Sequence, residues 1–233
     1  MDNRLLSIAG CIGEKGFADI GTDHGYLPVY MAKKGYEGAI FASDVNLEPL
    51  NCARRNADEA DVSDRIRFML CNGLDIGMKD EIDSIVIAGM GGDTICGILD
   101  RAEWCMDERY KLILQPMTKA EILRYWLSYN DFCITDEILI DDNGSVYQLI
   151  CARYGKREPL SDAELFLGKL ELSVNNALFD KLLEKNIKRF EKLIKGLSVS
   201  KDKREIISLG LYRQVYRELC SVRDGTCKLG SRI

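Results

Sequence analysis

Asp19-Ile20-Gly21-Thr22-Asp23-His24-Gly25 is the stretch that decides the fold, because it joins a short apolar run to a helical one. A second apolar run, residues 39–43, ends on Asp44. A strand, a glycine turn, a helix and a strand that closes on an acid form the βαβ unit of nucleoside-binding folds. Glycine lets the backbone come close to a ligand because it has no Cβ. The acid can accept hydrogen bonds from the two hydroxyls of a ribose, so we expect a nucleoside cofactor.

The spacing of the glycines separates two kinds of cofactor. A dinucleotide-binding turn has the pattern G-x-G-x-x-G, which brings a pyrophosphate to a helix N-terminus. Here only Gly21 and Gly25 are present, and the carboxylates of Asp19 and Asp23 would repel a pyrophosphate. S-adenosylmethionine, which has a positive centre and an amino group, suits this acidic turn better. The structural alternative is a turn that needs glycine only for its backbone angles.

Length and composition indicate a globular protein. The chain has 233 residues and a net charge of −5, which fits one α/β domain with an extension. No apolar run approaches the roughly 20 residues that span a bilayer, and the first residues do not resemble a secretory signal. The nine cysteines have no C-x-x-C spacing and only one histidine accompanies them, so we expect reduced thiols, no metal site and a cytoplasmic protein. A monomer is slightly favoured, although the sequence does not fix the oligomeric state.

The alternation of apolar runs and amphipathic segments predicts five βα units followed by a hairpin. The predicted strands cover residues 17–20, 39–45, 66–71, 84–88 and 112–114, the last stopped by Pro116. The predicted helices cover residues 27–34, 49–60, 93–103 and 120–129. Two further strands, 132–140 and 146–153, flank the hairpin-turn sequence Asp141-Asp142-Asn143-Gly144. This order is typical of the Rossmann-like class I methyltransferase sheet, so we predict an α/β methyltransferase domain over residues 1–155.

The remaining residues, 156–233, differ in pattern and charge. They carry 17 Lys+Arg against 11 Asp+Glu, while the first 155 residues carry a balance of −11. Predicted helices over 164–172, 179–197 and 202–219 suggest an α-helical, coiled-coil-like domain, with a cap docked on the sheet as an equal alternative. A basic appendage points to an anionic partner such as nucleic acid, and a solvated helical face is the alternative.

Three segments resemble, in this order, the bacterial tRNA (adenine(22)-N1)-methyltransferase family. They are Asp19-Ile20-Gly21-Thr22-Asp23-His24-Gly25-Tyr26-Leu27-Pro28, Ile87-Ala88-Gly89-Met90-Gly91-Gly92 and Leu112-Ile113-Leu114-Gln115-Pro116. The similarity covers most of residues 1–155 and continues into the helical region, where the family has a coiled-coil-like domain. Thr22 and Gly25 stand where serine and alanine are common, and neither change removes a functional group. The resemblance implies S-adenosylmethionine as donor, tRNA as substrate and N1 of adenine 22 as acceptor.

The implied reaction needs alignment rather than a base, because adenine N1 has a free lone pair at neutral pH. We expect backbone groups of residues 89–92 to position the adenine edge and Met90 to pack on its face. Asp23 would accept from the donor's amino group or balance the charge that grows on the adenine. The candidate catalytic residues are therefore Asp23, Met90 and Gly91.

The candidate cofactor residues come from the carboxyl ends of the first four strands. They are Asp19, Gly21, Thr22, His24, Asp44, Val45, Asn46, Asn72, Gly73, Leu74, Asp75, Ala88 and Gly89. We expect Asp75 to accept from the exocyclic amine of the cofactor's adenine, with a helix N-cap as the alternative. His24 is expected to contact the cofactor or support the turn rather than act as a base.

Basic residues at three-and-four spacing are the candidate tRNA contacts. They are Lys181, Lys185, Lys188, Arg189, Lys192, Arg213 and Arg217, with Arg204 beside them. Three alternatives stay open: a methyltransferase of a small molecule or protein, an NAD-linked oxidoreductase, and a non-catalytic RNA-binding protein with a retained nucleoside-binding fold.

Overall fold

A computed structural model describes residues 3–77, 79–156, 159–173, 178–198 and 203–225. The chain divides into two compact units, Met1–Glu158 and Pro159–Ile233. The first unit contains a seven-stranded sheet. Its strands are β1 (Gly16–Ile20), β2 (Ala39–Asp44), β3 (Ile66–Leu70), β4 (Ser84–Gly91), β5 (Lys111–Thr118), β6 (Phe132–Asp142) and β7 (Ser145–Tyr154).

The strand order of the sheet is β3-β2-β1-β4-β5-β7-β6. The first five strands are parallel, and β7 runs antiparallel to both β5 and β6. Val86 and Ile87 on β4 are completely buried, as is usual for a central parallel strand covered on both faces. Strands β2 and β3 lie on one side of β1, whereas β4 and β5 lie on the other. In such folds ligands bind at the carboxyl ends of the two strands where the strand order changes side, which here are β1 and β4. The predicted α/β fold with a terminal hairpin is confirmed.

Helices cover the faces of this sheet. They are α1 (Asn3–Ala9), α2 (Tyr26–Lys33), α3 (Leu47–Glu59), α4 (Gly92–Leu99) and α5 (Ala120–Tyr129). The buried guanidinium of Arg124 fixes α5 to the hairpin, because it donates to Glu137 Oε1 and to Gln148 Oε1, each at 2.7 Å. A charge this deeply buried is tolerated only with such partners. The hairpin itself turns at Asn143 and Gly144, which have φ of 52° and 82° as a two-residue type I′ turn requires.

The structure differs from the sequence-based prediction at β4 and β5. Strand β4 continues through Gly89 and Gly91 instead of ending at Ala88, and β5 passes through Pro116 to Thr118. Proline is accepted at this point because β7 pairs with β5 only as far as Leu114, so Pro116 has no strand on that side. Its pairing with Met90 falls at a register shift, where the regular ladder is already interrupted.

Two helix predictions also need correction, and one helix was not predicted. The helix expected over 93–103 ends at Leu99, and a 3-10 turn follows at Glu103–Cys105. The helix expected over 164–172 is two short helices, because Gly168 has the non-helical angles φ 88° and ψ 172° and ends the first of them. Helix α1 was not predicted, since seven residues are too few to show a helical period.

The second unit is helical in the part that the structure describes. Its helices are α6 (Asp162–Leu167), α7 (Leu170–Ser173), α8 (Phe179–Leu197) and α9 (Lys203–Arg223). Phe190 of α8 joins them, since its ring lies 4.9 Å from Phe166 of α6 and 5.7 Å from Tyr212 of α9. Ser200, the side chain of Arg204 and the tail from Thr226 lie outside the described residues. None of the helices in the described ranges is long and apolar enough to cross a membrane.

Candidate active site

The turn between β1 and α2 is held in an unusual backbone conformation by β2. Gly21, Asp23 and Gly25 all have left-handed φ angles, of 71°, 51° and 67°. The N–H groups of Gly21 and Thr22 both donate to the carbonyl of Ser43, at 2.8 Å each. Two adjacent donors on one acceptor fix the turn at the carboxyl end of β2, and the side chains of Thr22, Asp23 and His24 line the cavity next to it.

Asp44, the last residue of β2, is a second anchor for the same turn. One carboxylate oxygen accepts from the N–H of Asp23 at 3.3 Å, and the other accepts from the N–H of Asn46 at 2.9 Å. A carboxylate oxygen can accept more than one hydrogen bond. The buried carboxylate of Asp44 can therefore shape the turn and still receive the hydroxyls of a ribose.

Asp19 carries the strongest electrostatic perturbation at this edge of the sheet. Burial raises the pKa of its carboxyl group to about 6, the hydrogen bond from Thr22 opposes this, and the nearby Asp44 raises the pKa further. The hydroxyl of Thr22 donates to Asp19 Oδ2 at 2.7 Å. A buried carboxylate that is costly to ionise favours a positively charged ligand, and the ammonium group of an amino acid moiety fits this requirement.

Two cavities meet at this turn. The larger one has a volume of about 530 Å³ and is named the cofactor cavity after the ligand expected from the sequence. The smaller one has a volume of about 300 Å³ and is named the acceptor cavity after the expected methyl acceptor. Gly21, Asp23, Ala88 and Gly89 line both of them. The strand ends of β1 and β4 therefore form the boundary across which a group could pass from one cavity to the other.

Most of the residues predicted from the sequence line one of these cavities. Those in the cofactor cavity are Gly21, Asp23, Asp44, Val45, Asn46, Asn72, Gly73, Ala88, Gly89 and Met90. Those in the acceptor cavity are Asp19, Gly21, Thr22, Asp23, His24, Ala88 and Gly89. Met90 was expected on the face of the acceptor adenine, yet it lines the cofactor cavity, where its methyl group lies against Gly21.

Leu74, Asp75 and Gly91 line neither cavity. Leu74 is buried, and its carbonyl accepts from the indole N–H of Trp104 at 3.2 Å. The N–H of Asp75 donates to the carbonyl of Asn72 at 3.4 Å, and no helix begins at Asp75, so the alternative of an N-cap is wrong. The role of Asp75 at the cofactor's amine stays a prediction.

His24 is surrounded by side chains of its own turn and of α3. Its Nδ1 lies 3.1 Å from Cys52 Sγ, and its Nε2 lies 3.5 Å from Asp23 Oδ2. Its ring stacks on Tyr26 with 5.3 Å between centroids. These contacts and the half-exposed position of the ring fit a supporting role at the rim of the acceptor cavity.

Two functional candidates in the acceptor cavity were missed by sequence reasoning. Gln115 is almost completely buried, accepts from the N–H of Gly89 at 3.3 Å and donates to the carbonyl of Pro116 at 3.1 Å. The sequence did contain an indication of its role, because Gln115 stands directly before Pro116 in the third segment that resembles the family. Arg4 forms an ion pair with Asp142 at 3.3 Å. Almost the whole sequence of the first unit separates these two residues, so no local pattern indicates the contact.

The predicted tRNA contacts lie on α8 and α9 of the second unit. All seven side chains are exposed: Lys181, Lys185, Lys188, Arg189, Lys192, Arg213 and Arg217. Lys181, Lys185, Lys188 and Lys192 follow one another at spacings of four, three and four, and Arg189 is next to Lys188, so all five lie on one side of α8. The guanidinium of Arg189 also lies 5.7 Å from the ring of Phe166, so this charge is partly held in place.

Comparison with known proteins finds one methyltransferase family over most of the chain. The family model for tRNA (adenine(22)-N(1))-methyltransferase matches residues 17–212. The tRNA (adenine(22)-N(1))-methyltransferase of Bacillus subtilis (strain 168) is 28% identical over 208 residues, which are 87% of either chain. The crystal structure of the B. subtilis M1A22 tRNA methyltransferase TrmK has a TM-score of 0.85 at 26% identity and covers 95% of this chain and 98% of that one. M. capricolum TrmK in complex with S-adenosyl-homocysteine has a TM-score of 0.79 at 26% identity, over 96% and 99% of the chains.

The close approach of Met90 to Gly21 predicts a specific effect of a methyl group there. Gly35 has a similar φ of 76° with open space around it, so Gly35→Ala should cost only the backbone strain, about 1 kcal/mol of unfolding free energy. Gly21→Ala must also displace the methyl end of Met90, a flexible side-chain end that can turn aside at low cost, so it should cost about 1–2 kcal/mol in urea denaturation. In a Met90→Ala background, where that methyl group is absent, Gly21→Ala should cost no more than Gly35→Ala. An equal cost in both backgrounds would show that Met90 does not cause the effect.

The raised pKa of Asp19 predicts a pH-dependent stability difference. In the unfolded chain Asp19 loses its proton near 3.8, whereas in the folded protein it holds the proton to about 6. Folded protein therefore binds more protons between these values, and this group's contribution to the free energy of unfolding falls as pH rises through that window. The stability of Asp19→Asn minus that of the wild type should rise by about 2 kcal/mol from pH 4 to pH 7 in urea denaturation. A difference that stays constant with pH would contradict the assignment.

Proposed function

The chain belongs to the tRNA (adenine(22)-N(1))-methyltransferase family, and from this premise we propose that it methylates N1 of adenine 22 in tRNA with S-adenosylmethionine as donor. The observation that carries the proposal is the pair of cavities that meet at Gly21 and Gly89, with Asp19 and Asp44 in their walls. Such an enzyme acts where tRNA is processed, in the bacterial cytoplasm.

The residues of the cofactor cavity fit S-adenosylmethionine, which supplies an electrophilic methyl group on a sulfonium. Asp44 would accept from the ribose hydroxyls, because its two oxygens stand at the tip of β2 in the cavity wall. Asp19 lines the other cavity, next to the shared residue Gly21, and would hold the ammonium group of a cofactor that reaches across the boundary between the two. The ammonium group would return the pKa of this buried carboxyl toward its usual range. The strand ends at Gly21 and Gly89 leave room for the reactive centre, since neither residue projects a side chain.

The acceptor cavity fits a purine base. Gln115 holds the N–H of Gly89 and thereby fixes the end of β4, which borders both cavities. Tyr26 stands 58% exposed in the rim of the acceptor cavity and stacks on His24, so it offers an aromatic face to a base that leaves its helix stack. Adenine N1 needs no deprotonation, and the task of these residues is to align the base rather than to move a proton.

The other candidate functions lack an equivalent observation. The two carboxylates of Asp19 and Asp23 disfavour the pyrophosphate of NAD. Transfer to a small molecule or a protein would leave the exposed basic residues of α8 without a purpose. A non-catalytic RNA-binding protein would have no use for the buried Asp19 at the meeting point of the cavities.

Methyl transfer to defined tRNA transcripts tests this proposal. Unmodified transcripts with adenine 22 should gain N1-methyladenosine from labelled S-adenosylmethionine, and transcripts with guanine 22 should not. Asp44→Asn should weaken binding of S-adenosylmethionine about 10- to 100-fold, because hydrogen bonds to a charged acceptor contribute about 1.5–3 kcal/mol each. Glu48→Gln, an exposed acid of α3 outside both cavities, is the matched control.

Two outcomes would contradict the proposal. Methylation of the guanine 22 transcript at the same rate would move the target elsewhere in the tRNA. Binding of S-adenosylmethionine without methylation of any transcript would leave the donor in place and favour a small-molecule or protein acceptor.

The basic side of α8 predicts a change in salt dependence. Lys185→Gln/Lys188→Gln should weaken tRNA binding, and the slope of log K against log salt concentration should fall by about 1.5, since each phosphate contact contributes about 0.7–0.9. The control is Lys33→Gln/Lys34→Gln, which removes the same charge from the end of α2 that lies away from the carboxyl edge of the sheet. Equal effects of the two pairs in filter binding would indicate a response to net charge alone.

A further inference from the structure

Arg101, which follows α4, stands in the wall of the cofactor cavity beside the turn after β3. In that turn Gly73 has a φ of 60°, and a Cβ built on it would lie 3.1 Å from Ile98 Cγ2 and 3.7 Å from Arg101 Nη2. The other terminal nitrogen, Nη1, would lie 3.9 Å from a Cβ built on Gly97. The side chain of Arg101 therefore lies back along α4 toward the cavity.

The guanidinium of Arg101 makes no hydrogen bond or ion pair with any residue in the described ranges. Oδ1 of the neighbouring Asp100 accepts instead from the indole N–H of Trp126 at 2.6 Å. The charged groups that share this cavity are the carboxylates of Asp23 and Asp44. Arg101 is the one cation among the described residues of its lining, and it brings five N–H donors.

The position of Arg101 along the cavity indicates which part of the cofactor it meets. The proposed ribose site at Asp44 is at the end of β2, and Asn72 and Gly73 follow the next strand of the sheet, β3. A nucleoside whose ribose is held by Asp44 and whose amino acid end is at Asp19 has its base on the β3 side. Arg101, Ile98 and Gly73 form the wall on that side.

The chemistry of this wall matches the acceptor atoms of adenine rather than its amine. Adenine has three ring nitrogens that accept hydrogen bonds outside the glycosidic bond, N1, N3 and N7, and one exocyclic amine that donates. Asp75, the acceptor predicted for that amine, lines neither cavity, whereas the charged side chain that does line this wall is a donor. A charged donor on a neutral acceptor is a strong hydrogen bond.

We propose that Arg101 donates a hydrogen bond to a ring nitrogen of the cofactor's adenine and so contributes to recognition of the base. This role rests on the proposed function, since it requires S-adenosylmethionine in the cofactor cavity. It makes Arg101 a binding residue outside the glycine turn and outside the sequence segments that indicate the family.

Calorimetric binding of S-adenosylhomocysteine and its 1-deaza, 3-deaza and 7-deaza analogues tests the assignment. Each analogue replaces one ring nitrogen with C–H and keeps the shape of the base. Arg101→Ala should bind S-adenosylhomocysteine about tenfold more weakly than the wild type. The analogue that lacks the ring nitrogen contacted by Arg101 should bind the wild type about tenfold more weakly than S-adenosylhomocysteine does. Arg101→Ala, which has lost the donor, should bind that analogue and S-adenosylhomocysteine equally well. Arg55→Ala, which removes an exposed arginine of α3 outside the cavity, should bind all four ligands as the wild type does.

Three results would overturn the proposal. They are an unchanged affinity of Arg101→Ala for S-adenosylhomocysteine, an equal analogue penalty in wild type and variant, and a loss confined to tRNA binding, which would make Arg101 a phosphate contact. Thermal unfolding of each variant without ligand shows whether a loss of binding comes from misfolding. Arg101→Gln, which keeps a hydrogen-bond donor, is a second variant for the same measurements. Failure of the wild type to bind S-adenosylhomocysteine would instead refute the proposed function.

Discussion

The carboxyl end of β2 is the constraint on which the site depends. Three residues of the turn after β1 hold left-handed backbone angles, and one of them, Asp23, is not a glycine. Such a conformation costs about 1–3 kcal/mol at a residue with a side chain and needs support from its surroundings. The carbonyl of Ser43 and the carboxylate of Asp44 supply that support through hydrogen bonds to the turn. The same carboxylate faces the cofactor cavity, so one group both builds the turn and forms the proposed ribose site.

Charge is divided along the chain in a way that suits the two tasks of the proposed enzyme. The first unit is acidic, and its buried Asp19 favours a ligand with a positive group. The second unit presents exposed lysines on one side of α8, where phosphates can be bound. A protein that must bind a cationic cofactor and a polyanionic substrate gains selectivity when the two charges lie in different units, because neither ligand is drawn to the other's site.

Local patterns made much of this structure predictable. The glycine turn, the acid at the end of β2, the Asn143-Gly144 hairpin and the apolar stripe of α8 all depend on neighbours within a few residues or on one helical period. The unpredicted features depend on distant partners. Arg4 meets Asp142 across the first unit, Gln115 meets Gly89 on the adjacent strand, and β5 tolerates Pro116 only because β7 stops short of it. Sheet order decides these contacts, and a single sequence does not reveal which edge remains unpaired.

Three of the four residues that line both cavities, Gly21, Ala88 and Gly89, have no titratable side chain. Adenine N1 already carries the lone pair that attacks, so a general base would add nothing to the reaction. Precision of approach matters instead, and a displacement of about 1 Å can reduce the rate about a hundredfold. Gly21 and Gly89 remove bulk at the meeting point, the methyl group of Met90 lies against Gly21, and Gln115 accepts a hydrogen bond from the N–H of Gly89. The chain thus uses its buried polar and apolar groups to fix backbone positions, and leaves the space between them to cofactor and base.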